Sequence, residues 1–152
     1  MTKRASVNKA VRQRQPAEAG TGASAPIEVP EDMHERVRTI CLALPEVTVR
    51  VDESRLTTRS TAHSFDVRRR SFCLLVATEG STGKAVPLLV LRADPYEREE
   101  LLSIGRPFFA PRAGPGRIGM LLDKDTDWEE IRGLVTESYR VLAPKKLIQL
   151  LD

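Results

Sequence analysis

The apolar positions of this chain fall into two helical stretches on either side of a run of strands. The first predicted helix begins at Glu31 and ends at Pro45, and its acidic first turn suits the positive end of the helix dipole. The last long helix starts at a predicted capping box formed by Thr126 and Glu129. The apolar face of the first helix comprises Met33, Val37, Ile40, Cys41 and Leu44, and that of the last comprises Trp128, Ile131, Leu134, Val135, Ser138 and Leu142.

Between these helices the pattern is typical of β-strands with short connections. Pro87 lies inside one predicted strand, which favours an edge position or a bulge for it. Asp94 as N-cap and Pro95 at the first position open a short helix, and residues 105–117 are expected to form a loop. Because the strands follow one another closely, the sequence predicts an antiparallel meander. The predicted strands are 47–51, 63–67, 71–78, 86–91 and 118–122.

The net charge of +3 belongs entirely to the first 30 residues. Residues 31–152 hold 19 basic and 19 acidic groups, so the remainder of the chain is neutral. We therefore predict a disordered basic arm with a Pro/Gly/Ala linker over residues 1–30 and one folded domain over residues 31–152. The arm is either a solubilising extension or a segment that binds a polyanion. Its basic residues are Lys3, Arg4, Lys9, Arg12 and Arg14.

Composition excludes several classes of protein. Apolar residues make up 41% of the chain, yet no apolar run approaches the ~18–20 residues of a membrane-spanning helix. Two cysteines are too few for a disulfide scaffold and indicate a reducing compartment, so we expect a cytoplasmic protein. We also expect no cofactor and no membrane partner; the sequence does not determine the oligomeric state, although it slightly favours a monomer.

No motif for catalysis or metal binding is complete. The G-x-G-x-x-G string at 114–119 precedes a predicted strand, whereas a dinucleotide site needs it to open a helix. Cys41 and Cys73 lie on apolar faces and are predicted core residues, and with the two histidines they lack the spacing of a zinc site. If the protein were an enzyme, Cys73 with His63 would be the most plausible centre. We expect no enzymatic activity.

Five segments of the chain form a recognisable series: CLALPEV at 41–47, HSFDVRRRSF at 63–72, LVLRADP at 89–95, FFAP at 108–111 and the stretch 127–147. Their order resembles that of the MmcQ/YjbR family. This resemblance implies an α+β domain similar to the CyaY/frataxin arrangement, with helices packed on one face of an antiparallel sheet. It also implies DNA binding and brings no catalytic residues with it. Arg69 and Arg70 stand where members usually have Gly-Lys.

Two hypotheses about function follow. The first is a non-enzymatic DNA-binding protein that contacts the phosphate backbone without reading sequence. The alternative is a small-ligand or protein-interaction domain with no DNA role, which would use the exposed sheet face and the loop around Phe108 and Phe109. The predicted nucleic-acid-binding residues are Lys3, Arg4, Lys9, Arg12, Arg14, Arg68, Arg69, Arg70, Lys145 and Lys146.

Overall fold

Four helices and six strands make up the described part of the chain, which covers residues 27–52 and 60–151 of a computed structural model. The helices are α1 (Glu31–Leu42), α2 (Pro95–Ile104), α3 (Trp128–Leu142) and α4 (Lys145–Ile148). The strands are β1 (Thr48–Asp52), β2 (Ala62–Val67), β3 (Arg70–Glu79), β4 (Ala85–Arg92), β5 (Phe108–Phe109) and β6 (Arg117–Leu121). A 3-10 turn at Gln149–Leu151 follows α4.

The strands pair in one antiparallel sheet with the order β1-β2-β3-β4-β6-β5. The first four strands are neighbours in sequence and in space, which confirms the predicted meander. The chain then leaves the sheet through α2 and returns as β5 and β6, with β6 beside β4. The predicted loop at 105–117 therefore contains one short edge strand, whose Phe109 ring lies against Gly119.

Pro87 corrects one prediction, because it lies in an interior strand without a bulge. β4 pairs with β3 on one side and β6 on the other, and the register opposite Pro87 is regular. The Pro87 carbonyl accepts a hydrogen bond from Leu122, one residue beyond the end of β6. Backbone N and C=O of one strand residue point to the same neighbour. The proline nitrogen thus faces the point where the β4–β6 ladder ends, so its missing N–H leaves that ladder intact.

The helices pack on one face of the sheet, and the α+β prediction is confirmed. One cluster of buried side chains joins α1, α3 and α4 to the sheet, with Leu101 and Leu102 of α2 packed against it. Cys41 and Cys73 are both fully buried in this cluster, as predicted. The largest fully buried side chains include Tyr139, Phe65, Phe72, Leu75, Leu89, Leu91, Ile118 and Met120.

Helix α3 is fixed to the sheet near its C-terminal end. The Ser138 hydroxyl accepts a hydrogen bond from the Arg92 backbone N–H at 2.8 Å and donates one to the Phe72 carbonyl. The Tyr139 hydroxyl donates to the Pro45 carbonyl at 2.7 Å, and its ring meets Phe72 edge-on. These contacts hold the end of α3 beside the starts of β1 and β3 and the end of β4.

The N-terminus of α3 corrects a second prediction. Asp127, not Thr126, is the N-cap, and its carboxylate accepts hydrogen bonds from the backbone of Glu129 and Glu130. The Thr126 hydroxyl instead accepts from the Asp123 backbone N–H at 2.7 Å. Aspartate is favoured at the N-cap because its negative charge also complements the positive end of the helix dipole.

The segment just before α1 contacts the domain. Val29 packs against the core, Ile27 forms a parallel bridge with Ser60, and Glu28 accepts a hydrogen bond from Thr61. The predicted basic residues of the arm, from Lys3 to Arg14, lie outside the described residues. No helix in the described ranges has the length and apolar character needed to cross a membrane.

Candidate nucleic-acid interface

The β2–β3 hairpin carries three consecutive arginines at one end of the sheet. Arg68 and Arg69 form its turn with φ of 52° and 68°, in the left-handed region that favours glycine. Arg68 makes an ion pair with Glu46 at 3.2 Å, whereas Arg69 and Arg70 are exposed and lack such a partner in the described ranges. The three predicted residues therefore differ, and the charge of Arg68 is already partly compensated.

Two further arginines lie at the same end of the sheet. Arg92 ends β4 and Arg117 begins β6, and the two residues are directly opposite each other in the register. Their chain neighbours Leu91 and Ile118 point into the helix-covered core. Because side chains alternate along a strand, Arg92 and Arg117 both lie on the opposite face. Arg70 is paired with Val67, a residue of the helix-covered core, so Arg70 leaves the end of the sheet on the helix-covered face. We call Arg70, Arg92 and Arg117, which share one end of the sheet, the arginine cluster.

Two arginine side chains at this end of the sheet, those of Arg92 and Arg98, donate hydrogen bonds to backbone carbonyls. The Arg92 Nε donates to the Ser71 carbonyl at 3.0 Å, next to Arg70 in β3. Arg98 of α2 donates its Nε to the Arg117 carbonyl at 2.8 Å. A guanidinium that uses Nε in this way keeps its terminal nitrogens for another acceptor.

Electrostatics within the arginine cluster is repulsive. Burial, followed by repulsion from Arg117 and Arg70, lowers the pKa of Arg92. Burial and repulsion from Arg70 likewise lower the pKa of Arg117. Among the described residues, no acidic side chain forms an ion pair with any of the three. Arg92 and Arg117 are thus adjacent like charges, Arg70 acts on both of them, and none of the three has an ion-pair partner within the described ranges.

Some arginines elsewhere in the described ranges do have an acidic partner. Arg50 of β1 binds the buried Asp66 carboxylate at 3.1 Å, and Asp66 also accepts from the Ser64 hydroxyl at 2.7 Å. Arg132 and Arg140 pair with glutamates one helical turn away on α3, at 3.4 and 3.5 Å. Other arginines of the described ranges, such as Arg38 and Arg112, lack an ion pair as the cluster does, so the cluster is distinguished by the direct opposition of Arg92 and Arg117 across paired strands.

Lys145 and Lys146 are exposed in the first turn of α4. They follow directly on the part of α3 that Ser138 and Tyr139 fix to the arginine end of the sheet. Lys145 and Lys146 are therefore exposed positive charges close in sequence to the fixed end of α3.

Sequence reasoning did not single out Arg92, Arg98 and Arg117. The available signal was their position, because Arg92 and Arg117 each flank a predicted strand. Their pairing depends on β6 lying beside β4, and the 24 residues between them in the chain hide that adjacency.

The catalytic pair considered from sequence is not brought together. Cys73 lies opposite Phe65 in the β2–β3 register, and it is fully buried beside Cys41. The neighbouring Cys73 thiol and burial strongly raise the pKa of Cys41, which keeps that thiol protonated. The His63 ring instead stacks on His34, with ring centroids 4.2 Å apart.

Clefts in the described part of the chain are small and open to solvent. One of about 310 Å³ lies at the start of α3 and is lined by Arg106 and by Asp123, Asp125 and Asp127. Another, of about 250 Å³, lies between α1 and α3, where Arg36 stacks 5.3 Å from the Trp128 ring centroid. Within the described ranges no group of three metal-ligating side chains comes together. Neither cleft resembles the enclosed apolar pocket typical of a small-molecule site.

Comparison with known proteins gives the family. A crystal structure of Deinococcus radiodurans protein DR2400, described with a DUF419 domain, matches over 78% of this chain and 86% of that one. The sequence identity is 15% and the TM-score 0.46, a level of similarity that carries no structural argument. No curated protein matches the chain. The family model of YjbR matches residues 42–141, about two thirds of the chain, and the protein therefore belongs to the YjbR family.

Proposed function

We propose that this protein is a cytoplasmic, non-enzymatic DNA-binding protein that contacts the phosphate backbone through the arginine end of its sheet. The surface consists of the arginine cluster together with Arg69 of the adjacent hairpin. Lys145 and Lys146 extend it on the helix side, and the basic arm adds further charge.

One observation carries the proposal, namely that Arg92 and Arg117 lie directly opposite each other on paired strands without an internal counter-charge. Arg50, Arg68 and Arg132 each have an acidic partner, whereas Arg92 and Arg117 repel each other at the end of two paired strands. Bringing like charges together costs free energy, which an external anion offsets. Arginine forks bind phosphate oxygens with two parallel hydrogen bonds, so phosphate is a well-matched anion.

The same geometry favours binding without sequence preference. Helix α2 lies next to the arginine cluster, where Arg98 contacts the Arg117 carbonyl, but its other charged side chains are glutamates, which repel DNA phosphates and do not favour base reading in the major groove. Phosphate contacts position a protein on DNA but carry no direct sequence information. The affinity should therefore depend on salt far more than on sequence.

The test is a titration of a labelled DNA duplex at several salt concentrations with the full chain. Each phosphate contact contributes about 0.9 to the slope of log K against log salt on duplex DNA. Replacing Arg70, Arg92 and Arg117 by glutamine should lower that slope by up to ~2.7. The control is Arg132→Gln, which removes one positive charge from α3 and should leave the slope within error.

A second variant measures the arm separately. Glutamine at its five basic positions, from Lys3 to Arg14, should lower the slope by at most ~4.5 and weaken binding equally on unrelated duplexes. If the full chain fails to bind duplex DNA at low salt, the proposal is wrong. The alternative, a small-ligand or protein-interaction domain, then takes its place.

A further inference from the structure

The face of the sheet turned away from the helices has an apolar patch of its own. All of its side chains come from strands, and among the described residues the helices contribute only to the hydrophobic cluster on the other face. The buried centre of the patch is Val76, Leu88 and Val90, and the half-buried Leu74, Phe109 and Leu121 pack around it. The half-buried side chains are the part of this patch that a partner meets.

Phe109 lies on this face with its ring against Gly119. The two residues are paired in the β5–β6 register, and a side chain at position 119 would collide with the ring. The chain neighbours of Gly119, Ile118 and Met120, point into the helix-covered core, so the ring lies on the opposite face of the sheet. Because one side of the half-buried ring rests on the sheet, its other side is the one available to a partner.

Arg92 and Arg117 lie on the same face, directly beside this ring. Val90 is paired with Gly119, and two residues further along the same strands Arg92 is paired with Arg117, a step of about 6.6 Å. The Arg92 Nε donates to the Ser71 carbonyl, which leaves its terminal nitrogens for an external acceptor. One position on the sheet therefore carries an aromatic ring, and the next position on the same face carries two positive charges.

This combination matches a single strand of nucleic acid better than a duplex. A duplex keeps the faces of its bases stacked inside and presents its phosphates, so it has nothing for the Phe109 ring to stack on. A single strand presents both groups, and its bases stack on aromatic side chains whatever their identity. Arginine forks bind the phosphate oxygens that accompany each base.

We propose that this face binds single-stranded DNA, with a base stacked on the Phe109 ring and a neighbouring phosphate bound by Arg92 and Arg117. The inference rests on the proposed function and deepens it, because it names the form of DNA for which this face is built. Arg70 leaves the sheet on the helix-covered face and is not part of the stacking site.

The test measures binding of the full chain at one low salt concentration to three labelled ligands of equal length. They are oligothymidylate, an abasic oligomer with the same phosphate backbone, and a thymidine–adenine duplex. The abasic oligomer keeps the phosphates but has no base to stack, so it should bind about tenfold more weakly than oligothymidylate.

Variants at position 109 assign the stacking to one ring. Phe109→Leu should weaken binding of oligothymidylate about tenfold and leave the abasic oligomer and the duplex unchanged. Phe109→Tyr, which keeps the ring, should bind oligothymidylate like the native protein. Arg117→Gln should weaken all three ligands, because it removes a phosphate contact. Thermal unfolding of each variant establishes that it is folded.

Tyr96 provides a matched aromatic control. It lies in the first turn of α2 and is 87% exposed, so a base could stack on it without touching the sheet. Tyr96→Leu should leave the binding of oligothymidylate unchanged. A loss of affinity in Tyr96→Leu but not in Phe109→Leu would assign the base to α2 and overturn the site on the sheet.

The remaining outcomes separate this inference from the proposed function. Equal affinity for oligothymidylate and the abasic oligomer, with salt-dependent duplex binding intact, would overturn base stacking and leave backbone binding in place. Binding of oligothymidylate that depends on Phe109, without any binding of the duplex, would support the stacking site and overturn the duplex binding expected above. Binding of none of the three ligands would overturn both proposals.

Discussion

The two ends of the sheet each bring similar basic side chains together, but they differ in how repulsion is relieved. At one end the rings of His34 and His63 stack, and burial followed by repulsion from His34 lowers the pKa of His63, with Glu28 opposing the shift. An imidazole responds to such surroundings by releasing its proton near neutral pH. At the other end Arg92 and Arg117 stay charged at every physiological pH. Proton release therefore does not relieve the repulsion at the arginine end, and in our proposal an external anion does.

The largest expected effect on stability comes from the contact that fixes the arginine end. Ser138→Ala removes the partner of both the Arg92 backbone N–H and the Phe72 carbonyl. Leaving buried polar groups unsatisfied should lower the free energy of unfolding by about 1–3 kcal/mol. Urea denaturation measures this loss. Thr136→Ala serves as the control, because the Thr136 hydroxyl donates only to the Arg132 carbonyl of its own helix and is not fully buried. An unchanged midpoint for Ser138→Ala would show that this contact does not fix α3.

A smaller loss of stability is expected when an ion pair between an arginine and an acidic residue is disrupted. Asp66→Asn keeps the shape of the Arg50 and Ser64 contacts but removes the charge. Because the Arg50 side chain is 60% exposed, the loss should be about 1 kcal/mol. Glu129→Gln, which disrupts the fully surface-exposed pair with Arg132, should change stability by less than ~0.5 kcal/mol. If Asp66→Asn changed stability as little as Glu129→Gln does, the ion pair with Asp66 would not stabilise the fold. Arg50 would then not differ from the arginine cluster in having an energetically significant partner.

The smallest effect concerns the histidine end and its pH dependence. Because the pKa of His63 is lowered in the folded state, the unfolded chain binds that proton more tightly. The stabilising contribution of the neutral ring is complete above about pH 6.5 and decreases as the pH falls from there towards the folded-state pKa. Between pH 7.5 and 5.5, the native protein should therefore lose more stability than His63→Gln does. If both proteins lost the same stability over this pH range, proton release by His63 would not relieve the repulsion between the two histidines.

Much of the fold follows from local patterns. Apolar spacing predicts α1 and α3, because a helix that buries one face repeats its apolar residues every three or four positions. The same reasoning correctly placed Cys41 and Cys73 in the core. The Asp94 cap of α2 was also predictable, since its side chain accepts from the backbone N–H three residues on.

What the sequence does not reveal depends on distant parts of the chain. Pro87 fits an interior strand only because β6 ends beside it, and nothing near Pro87 in the sequence states where β6 ends. The arginine cluster has the same origin, since Arg70, Arg92 and Arg117 come from three strands that become neighbours only in the folded sheet. The tripeptide of the hairpin was visible in the sequence, yet its first member is paired with Glu46, which lies 22 positions earlier in the chain.

The central claim is that the arginine cluster receives a nucleic-acid phosphate, and NMR of arginine side chains tests it most directly. The Nε–H signals of Arg92 and Arg98 should be well protected in the free protein, because both groups donate to backbone carbonyls. On titration with a DNA duplex at low salt, the signals of Arg70, Arg92 and Arg117 should shift saturably, while those of Arg50 and Arg132 stay in place. Shifts confined to Arg50 and Arg132, or no shift at the cluster while the duplex is bound, would contradict the account.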